Sequence, residues 1–331
     1  MWPRGEEAAA VAAQAAGIPY CLSTVSVCSM EAVRTASSGA LAFQLYVTKD
    51  RRISEQLIDR AAAAGYSSLF VTVDVPTFAK REIDIRNGLG ATRRLSMRML
   101  WASLLKPRWA LRTILASHSQ LGNFNRDPAS TGNILFQARE IARLLDATVN
   151  WKDLDWLRRR WPGKLVLKGL LSSDDAIRAV NAGADGVVVS NHGGRQLDGA
   201  IASLEALSAV VNAVGDKIDV LFDGGIRRGR HIAVALCLGA RACLIGRSYL
   251  YGLSACGQAG VMRTLQLMAE ELRTICILLG VGNIDELRTA RIMKKVSWVC
   301  AGNAVERSPV EADFGGWVKA GNDLDSERPL P

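Results

Sequence analysis

Histidine, closely spaced cysteine and long apolar runs are all scarce in this sequence, and each shortage excludes a class of protein. The 331 residues hold three histidines, and the seven cysteines include no C-x-x-C pair, so we expect neither a zinc site nor a disulfide framework. No apolar run reaches the roughly 18 residues that a membrane-spanning helix needs, and the N-terminus shows no secretory signal pattern. The default expectation is a cytoplasmic globular protein with no metal.

Acidic residues are missing from one long segment of the chain. Residues 85–126 contain no Asp or Glu but eight Lys or Arg residues, which nearly account for the formal net charge of +9. Within this segment, residues 92–118 mix basic side chains with Trp, Met and Leu. Such a mixture suits either a solvated lid or a peripheral contact with an anionic membrane. Nucleic acid is not an expected partner, because no recognised binding module accompanies the charge.

Seven short β-type segments, each followed by a helical stretch, make up most of the chain. Strands separated by helices pair in parallel through right-handed crossovers, so the pattern predicts a β/α barrel or an open doubly wound sheet. We expect residues 1–290 to form this unit, including the long basic loop 85–126, and residues 291–331 to form a C-terminal helix and a disordered tail. The predicted strands are 19–26, 41–48, 68–74, 164–169, 186–194, 219–225 and 242–248.

Two of the intervening helices carry recognisable start and stop signals. Ser54 is a candidate N-cap for a helix that ends before Gly65, and Ser173 is a candidate N-cap for one that ends before Gly183. Glycine just after a helix favours the left-handed backbone that ends it. Both signals support the alternation of strands and helices.

Polar residues at the ends of many different strands favour the barrel over the open sheet. In a TIM (β/α)8 barrel all carboxyl ends of the strands face one mouth, where barrel enzymes hold their catalytic groups. The last two strands end in "DGGIRRG" and "IGRS", glycine turns with arginine that are typical of a phosphate site. The strand-end residues are Ser23, Gln44, Tyr46, Thr72, Asp74, Lys168, Ser190, His192, Asp223, Gly246 and Arg247.

The strand count is one short of a closed barrel. Such a barrel needs eight strands, and only seven are visible. The first barrel strand is therefore expected to be missing from this chain and to precede Met1. An alternative start codon or a misplaced gene start would explain the difference.

His192, Asp74 and Lys168 are candidate catalytic groups, and so is Tyr46, which is also a candidate for substrate binding. A strand-end imidazole suits proton abstraction near neutral pH, and Asp74 could orient it and stabilise its cation. Lys168 could supply positive charge beside a group that becomes anionic, or it could be a Schiff-base lysine. Taken alone, His192 is also compatible with a structural role in its loop. His118 and His231 are predicted to be structural or close to a phosphate.

Arg81, Arg195 and Tyr46 are the candidate substrate-binding groups. Two guanidinium groups could clamp a carboxylate, for which arginine is better suited than lysine, and the tyrosine could add a phenolic hydrogen bond. Arg195 could equally be a surface ion-pair partner. The remaining polar strand ends, Gln44, Thr72 and Ser190, could simply cap their strands.

The stretch "SNHGGRQLDG" at residues 190–199 resembles the active-site signature of the FMN-dependent 2-hydroxy-acid oxidases and dehydrogenases. This family includes glycolate oxidase, the flavin type of L-lactate dehydrogenase and mandelate dehydrogenase. The stretches "FQLYV", "TVDVP" with Arg81 behind it, "LVLKG", "DGGIRRG" and "LIGRSYLYG" are similar to the family in the same order. The resemblance extends from Trp2 to about residue 290.

The resemblance implies FMN as the cofactor and assigns the residues that would hold it. Near the flavin ring or its ribityl chain, the matching positions are Ser23, Gln44, Thr72, Lys168 and Ser190. At the ribityl and phosphate end, they are Asp223, Gly224, Gly225, Arg227, Gly246 and Arg247.

The resemblance also implies the reaction, the oxidation of a lactate-like or mandelate-like L-2-hydroxy acid to the 2-oxo acid. His192 would act as the base with Asp74 as its partner, while Tyr46, Arg81 and Arg195 would bind the substrate. Electrons would pass to a quinone or a cytochrome. The alternatives are an oxidase that makes peroxide from O₂ and a catalytically inactive truncated fragment.

Partners and specificity follow from the same resemblance. The family's membrane-associated members carry their anchor in the loop matched by residues 92–118, which implies a cytoplasmic protein or one at the inner face of the membrane. Homo-oligomers are expected by resemblance as well. Val25 stands where glycolate-type members carry a large aromatic residue, which implies a wider pocket and a bulkier acid.

Overall fold

The computed structural model describes most of the chain outside the long basic segment. It covers residues 2–77, 121–124 and 143–290, the single positions 79, 82, 86, 101, 104–107 and 111, and the backbone of 298–301 and 304–307. The strands of the main sheet are β1 (Tyr20–Ser23), β2 (Leu41–Leu45), β3 (Ser68–Thr72), β4 (Lys164–Leu170), β5 (Gly186–Val189), β6 (Asp219–Asp223) and β7 (Ala242–Leu244). The helices are Gly5–Ala15, Met30–Ala36, Arg51–Ala63, Trp151–Arg160, Ser173–Asn181, Ser203–Val214, Gly229–Cys237, Arg247–Leu278 and Ile284–Thr289, with a 3₁₀ turn at Gly122–Phe124.

The seven strands pair in parallel and in the order in which they occur along the chain. Sequential parallel pairing places the carboxyl ends of all seven strands along one edge. Within the described residues, β1 and β7 each pair on one side only.

The sheet curls around an apolar interior. One face of the sheet forms a cluster made only of strand residues, and its central members are buried although the cluster includes no apolar helix residue of the described part of the chain. A flat sheet would leave that face open to solvent, so the strands must cover one another, as in the wall of a β/α barrel. The predicted barrel class is thereby confirmed. The cluster contains Cys21, Ala42, Phe70, Val166, Val188, Leu221 and Leu244.

The opposite face of the sheet packs against the helices. Successive side chains of a strand point to opposite faces, so the neighbours of the interior residues belong to the outer core. Leu22, Phe43, Leu69, Leu165 and Val187 are fully buried there, in contact with the helical layer. This two-sided burial explains why the strands read as nearly continuous apolar runs.

The two predicted N-caps lie close to the true ones but are wrong. Asp50 caps the helix Arg51–Ala63, and its carboxylate accepts a hydrogen bond from the Arg52 N–H at 3.0 Å. Ser54 is buried inside that helix, where its hydroxyl accepts from the Thr48 N–H. Ser172 caps the other helix, one residue before the predicted Ser173.

The predicted stop signals behave as the sequence suggests. Gly65 and Gly183 follow their helices with φ values of 75° and 77°, in the left-handed region where a glycine carries no steric penalty.

Beyond residue 290 the described backbone is a pair of antiparallel strands, β8 (Trp298–Ala301) and β9 (Ala304–Arg307), where the sequence analysis expects a helix. Both strands contain β-branched or aromatic residues, and Gly302–Asn303 lies between them in the sequence. This composition favours a two-residue hairpin. The other residues of 291–331 lie outside the described part of the chain.

Asp185 ties the start of β4 to the segment that leads into β5. Its Oδ2 accepts hydrogen bonds from the Leu165 N–H at 2.9 Å and from Arg158 Nη1 at 2.7 Å, and its Oδ1 accepts from Lys164 Nζ at 2.9 Å. Burial by itself raises the pKa of this carboxyl, but the three donors outweigh burial, so the pKa of Asp185 is lowered. The ionised form therefore stabilises the fold.

We expect Asp185→Asn to lower the free energy of unfolding near neutral pH by about 1–3 kcal/mol, because the buried Leu165 N–H and the half-buried Arg158 lose a charged acceptor. A carboxyl with a lowered folded pKa contributes stability above its unfolded pKa of about 4 and loses it as the pH falls through the lower folded value. The difference between variant and wild type should therefore shrink in acid. Urea unfolding at neutral and acidic pH measures both effects. Asp216→Asn, at an exposed position, is the control; an equal loss in both variants would refute the assignment.

Candidate active site

The mouth of the barrel is lined by one polar side chain from each of the first six strands. Each lies two residues after an apolar residue of the interior cluster, as Ser23 follows Cys21 and Lys168 follows Val166. Because the side-chain period of a strand is two, these polar residues share the interior face. Six of the predicted site residues are thus brought to the carboxyl end of the interior face: Ser23, Gln44, Thr72, Lys168, Ser190 and Asp223.

A hydrogen-bonded chain joins the ends of β1, β2 and β3. The Ser23 hydroxyl donates to Gln44 Oε1 at 2.9 Å, and Gln44 Nε2 donates to Thr72 Oγ1 at 2.9 Å. Gln44 and Thr72 are both buried. These two bonds hold the Gln44 amide in one orientation. Its second Nε2–H remains able to donate a hydrogen bond to a ligand.

A second network joins the ends of β4, β5 and β6. Lys168 Nζ lies 2.9 Å from Asp223 Oδ2 and donates to Ser190 Oγ at 3.1 Å. The Ser190 hydroxyl in turn donates to the same Asp223 oxygen at 2.9 Å. A largely buried cation is tolerated here because a carboxylate and a hydroxyl replace its hydration. The same contacts hold the lysine side chain in one place at the mouth of the barrel.

The loop after β5 has an unusual backbone at three consecutive residues. His192, Gly193 and Gly194 have φ values of 57°, 67° and 69°. Asn191 closes this turn, because its side-chain oxygen accepts from the Gly194 N–H at 3.1 Å. The left-handed region is costly for a residue with a Cβ, so a histidine held there indicates a position determined by its surroundings.

His192 and Asp74 meet across the mouth of the barrel. His192 Nδ1 lies 3.0 Å from Asp74 Oδ1, although the two residues are 118 positions apart in the sequence. Because a carboxylate only accepts, this contact assigns the proton of the neutral imidazole to Nδ1, and in that tautomer Nε2 carries the lone pair. The backbone N–H of His192 also donates to Ser190 Oγ at 3.0 Å. This bond links the loop after β5 to the network of Lys168, Ser190 and Asp223.

The two glycine turns leave room beside two helix N-termini. A Cβ placed at Gly225 or at Gly246 would meet nothing within 4 Å. The helix that begins at Arg247 has no acidic residue in its first turn. At the other helix the Gly229 N–H donates to Glu271 Oε2 at 3.0 Å, so a carboxylate already contacts that N-terminus. A positive helix end without an acidic partner favours an anion such as a phosphate, which points to the turn at Gly246 and Arg247.

The arginines of these turns contribute to the same region. Arg227 and Arg247 are exposed, and Arg247 Nη2 donates to the Gly193 carbonyl at 2.8 Å. His231 accepts a hydrogen bond from the Arg227 N–H through Nδ1 at 3.2 Å. Burial, followed by the charges of Arg230 and Arg227, lowers the pKa of His231, which keeps this imidazole neutral at pH 7.

The predicted substrate-binding residues are only partly described. Tyr46 is half-buried just beyond β2, and its backbone N–H donates to Thr24 Oγ1 at 3.0 Å. Arg195 is half-buried, three residues after His192 on the same loop. Arg81 lies outside the described residues, as does His118.

Asn123 is a structural element of this site that sequence reasoning missed. Its side chain is buried, donates to the carbonyls of Ser23 and Thr24 at 3.3 and 3.2 Å, and accepts from the Met30 N–H at 3.0 Å. It therefore anchors the loop after β1. Asn123 lies inside the acid-free segment, where no periodicity marks it as buried.

Comparison with known proteins gives consistent matches over most of the chain. A family model described as FMN-dependent dehydrogenase matches residues 1–294. An L-lactate dehydrogenase from Caulobacter vibrioides strain NA1000 is 44% identical over 294 residues, which are 88% of this chain and 76% of that protein.

Solved structures agree with these sequence matches. A monotopic membrane protein, (S)-mandelate dehydrogenase, is 42% identical with a TM-score of 0.82, over 86% of this chain and 75% of that one. A mandelate oxidase variant with (S)-mandelic acid is 36% identical with a TM-score of 0.70, over 86% of this chain and 72% of that one.

Proposed function

The chain belongs to the FMN-dependent dehydrogenase family, and on that premise we propose that it oxidises a lactate-like or mandelate-like L-2-hydroxy acid to the 2-oxo acid. The protein is an FMN-dependent 2-hydroxy-acid dehydrogenase, and the proposal concerns the substrate and the residues that act on it. The observation that carries it is the contact of His192 with Asp74 at 3.0 Å, beside the polar ring of the barrel mouth.

The residues of the mouth fit FMN. The ammonium of Lys168 and the amide of Gln44 suit the polar edge of a flavin ring, and the open turns at Gly225 and Gly246 suit its phosphate. When bound, FMN supplies an acceptor for two electrons. Beside the ring and ribityl chain we propose Ser23, Gln44, Thr72, Lys168 and Ser190, and at the ribityl and phosphate end Asp223, Gly224, Gly225, Arg227, Gly246 and Arg247.

His192 acts as the base in this proposal. Its Nε2 lone pair accepts a proton from the substrate, since Nδ1 donates to Asp74. The Asp74 carboxylate keeps the ring in that orientation and stabilises the imidazolium that forms. The proton is therefore held on Nε2, while Lys168 provides a fixed positive charge at the barrel mouth.

The substrate carboxylate requires cationic partners, and we assign its binding to Arg195 and Arg81. Arginine binds a carboxylate through two parallel hydrogen bonds, so two guanidinium groups hold the acid in one orientation. Tyr46 adds a phenolic hydrogen bond to the substrate. Val25 is half-buried on the loop after β1, and its small side chain leaves room for a mandelate-sized acid.

We expect His192→Gln to keep FMN and to lose most of its turnover. Removal of a general base costs about 10²- to 10⁴-fold, whereas no proposed flavin contact is changed. The measurements are FMN content by absorbance and kcat with L-lactate and with L-mandelate. Asn212→Gln, exposed on the helix Ser203–Val214, serves as the control. A yellow His192→Gln protein with most of its wild-type kcat would overturn the assignment.

We propose that the reduced enzyme passes electrons to a quinone or a cytochrome. Similar proteins named dehydrogenases are 40–44% identical, and the mandelate oxidases are 36–37% identical. Turnover with a quinone analogue should therefore exceed oxygen consumption with the same acid. Oxygen uptake that matches total turnover would instead identify a peroxide-forming oxidase, and a flavin that neither acid bleaches would identify an inactive fragment.

We propose a peripheral membrane contact through residues 92–118, on a cytoplasmic protein at the inner face of the membrane. Trp101, Leu104, Leu105 and Leu111 are 63%, 70%, 79% and 59% exposed, in a segment rich in Lys and Arg. Large exposed apolar side chains beside cations suit an anionic bilayer surface. Across the described residues, no helix combines the length and apolarity needed to cross a membrane. The homo-oligomer expected from the resemblance stays a prediction.

We expect the protein to sediment with anionic lipid vesicles at low salt and less so at high salt, since screening weakens the attraction of the basic segment. Leu104→Gln/Leu105→Gln should weaken sedimentation. Ile277→Gln/Leu278→Gln is the matched control, because these side chains are 70% and 79% exposed but lie outside the segment. No sedimentation at low salt, or equal losses in the two double variants, would contradict the proposal.

A further inference from the structure

A bulge in β4 brings its backbone against the carboxylate of Asp74. The pairing of β4 with β5 shifts register between Lys168 and Leu170, and the intervening Gly169 has a φ of 110°. A Cβ at Gly169 would lie 2.5 Å from both Cβ and Cγ of Asp74 and 2.9 Å from Oδ2. No ordinary side chain fits at those distances, so a glycine is required for Asp74 to occupy this place.

The absence of a side chain at Gly169 determines what the Asp74 carboxylate can contact. Asp74 Oδ2 is buried and has no hydrogen-bond partner among the described residues, whereas Oδ1 lies 3.0 Å from His192 Nδ1. A carboxylate can accept several hydrogen bonds, and among the described residues this one makes a single contact, which directs its charge at His192. A Cβ at Gly169 would lie 2.9 Å from Oδ2, so the backbone of β4 packs against this oxygen.

The backbone beside Asp74 is also tied to β4. The Val73 N–H donates to the Lys168 carbonyl at 2.9 Å, immediately before the bulge. The backbone at Val73 is thus tied to Lys168, and the side chain of Asp74 packs against Gly169. Two adjacent residues of β4 therefore fix the position of Asp74.

We infer that Gly169 is a positioning residue for the reaction: its missing side chain seats Asp74 so that Oδ1 of the carboxylate faces His192. This inference rests on the proposed function, because it acts through the His192–Asp74 pair. Displacing a reacting group by about 1 Å can cost on the order of 10²-fold in rate. A larger residue at position 169 should therefore lower kcat.

The test compares FMN-loaded Gly169→Ala with wild type. We expect kcat with the preferred 2-hydroxy acid to fall about 10- to 100-fold, with KM and the FMN dissociation constant changed far less. Gly65→Ala is the matched control, because Gly65 also has a positive φ, 75°, but its Cβ would meet nothing within 4 Å. It should keep its turnover, and a Gly169→Ala enzyme with wild-type kcat would overturn the inference.

A compensating variant separates the contact with Asp74 from a general defect in β4. In Gly169→Ala/Asp74→Gly the new Cβ no longer meets the aspartate side chain, whereas the strain of an alanine at φ 110° remains. The double variant should therefore be more stable to heat than Gly169→Ala and should turn over as Asp74→Gly does. A double variant that is no more stable than Gly169→Ala, or that is clearly slower than Asp74→Gly, would refute the inference.

Failure of the proposed function can be distinguished from failure of the inference about Gly169. If Asp74→Asn and His192→Gln both kept full turnover, the pair would not serve the reaction, whatever Gly169→Ala does. If both lost turnover while Gly169→Ala kept it, only the role of Gly169 would be wrong.

Discussion

The whole site depends on parallel pairing of seven strands in chain order. Because each crossover returns the chain to the same end of the sheet, residues that close successive strands become neighbours, however distant they are in sequence. Because successive side chains of a strand point to opposite faces of the sheet, every second residue faces the interior of the barrel. A ring of polar side chains at the barrel mouth follows from these two geometric facts, before any particular contact is considered.

Charge inside the barrel is tolerated only because it is paired. Lys168 lies against Asp223 and Ser190, and Asp74 lies against His192. Taking a single charge out of water would cost several kcal/mol, and in each pair the partner offsets part of that cost and fixes the orientation of the charged group. The two pairs are connected through Ser190, which accepts from the His192 N–H.

Much of the fold could be predicted because its signals are local and repeated. The seven strands, the barrel class and the helix-ending glycines Gly65 and Gly183 were all visible as periodicity and turn chemistry. The N-caps were misplaced because Asp50 and Ser172 stand within four residues of equally plausible serines. The hairpin of β8 and β9 was missed because short apolar segments do not distinguish strand from helix.

The sequence by itself determined which chemical groups the site would contain, since strand-end positions and the signature stretch name His192, Asp74 and Lys168 directly. Only the tertiary structure decided how those groups meet. The 3.0 Å contact of His192 with Asp74, the anchoring by Asn123 and the fit of Asp74 against Gly169 each join segments that lie far apart in the chain. Such contacts depend on strand register and backbone bulges, which local residue patterns do not encode.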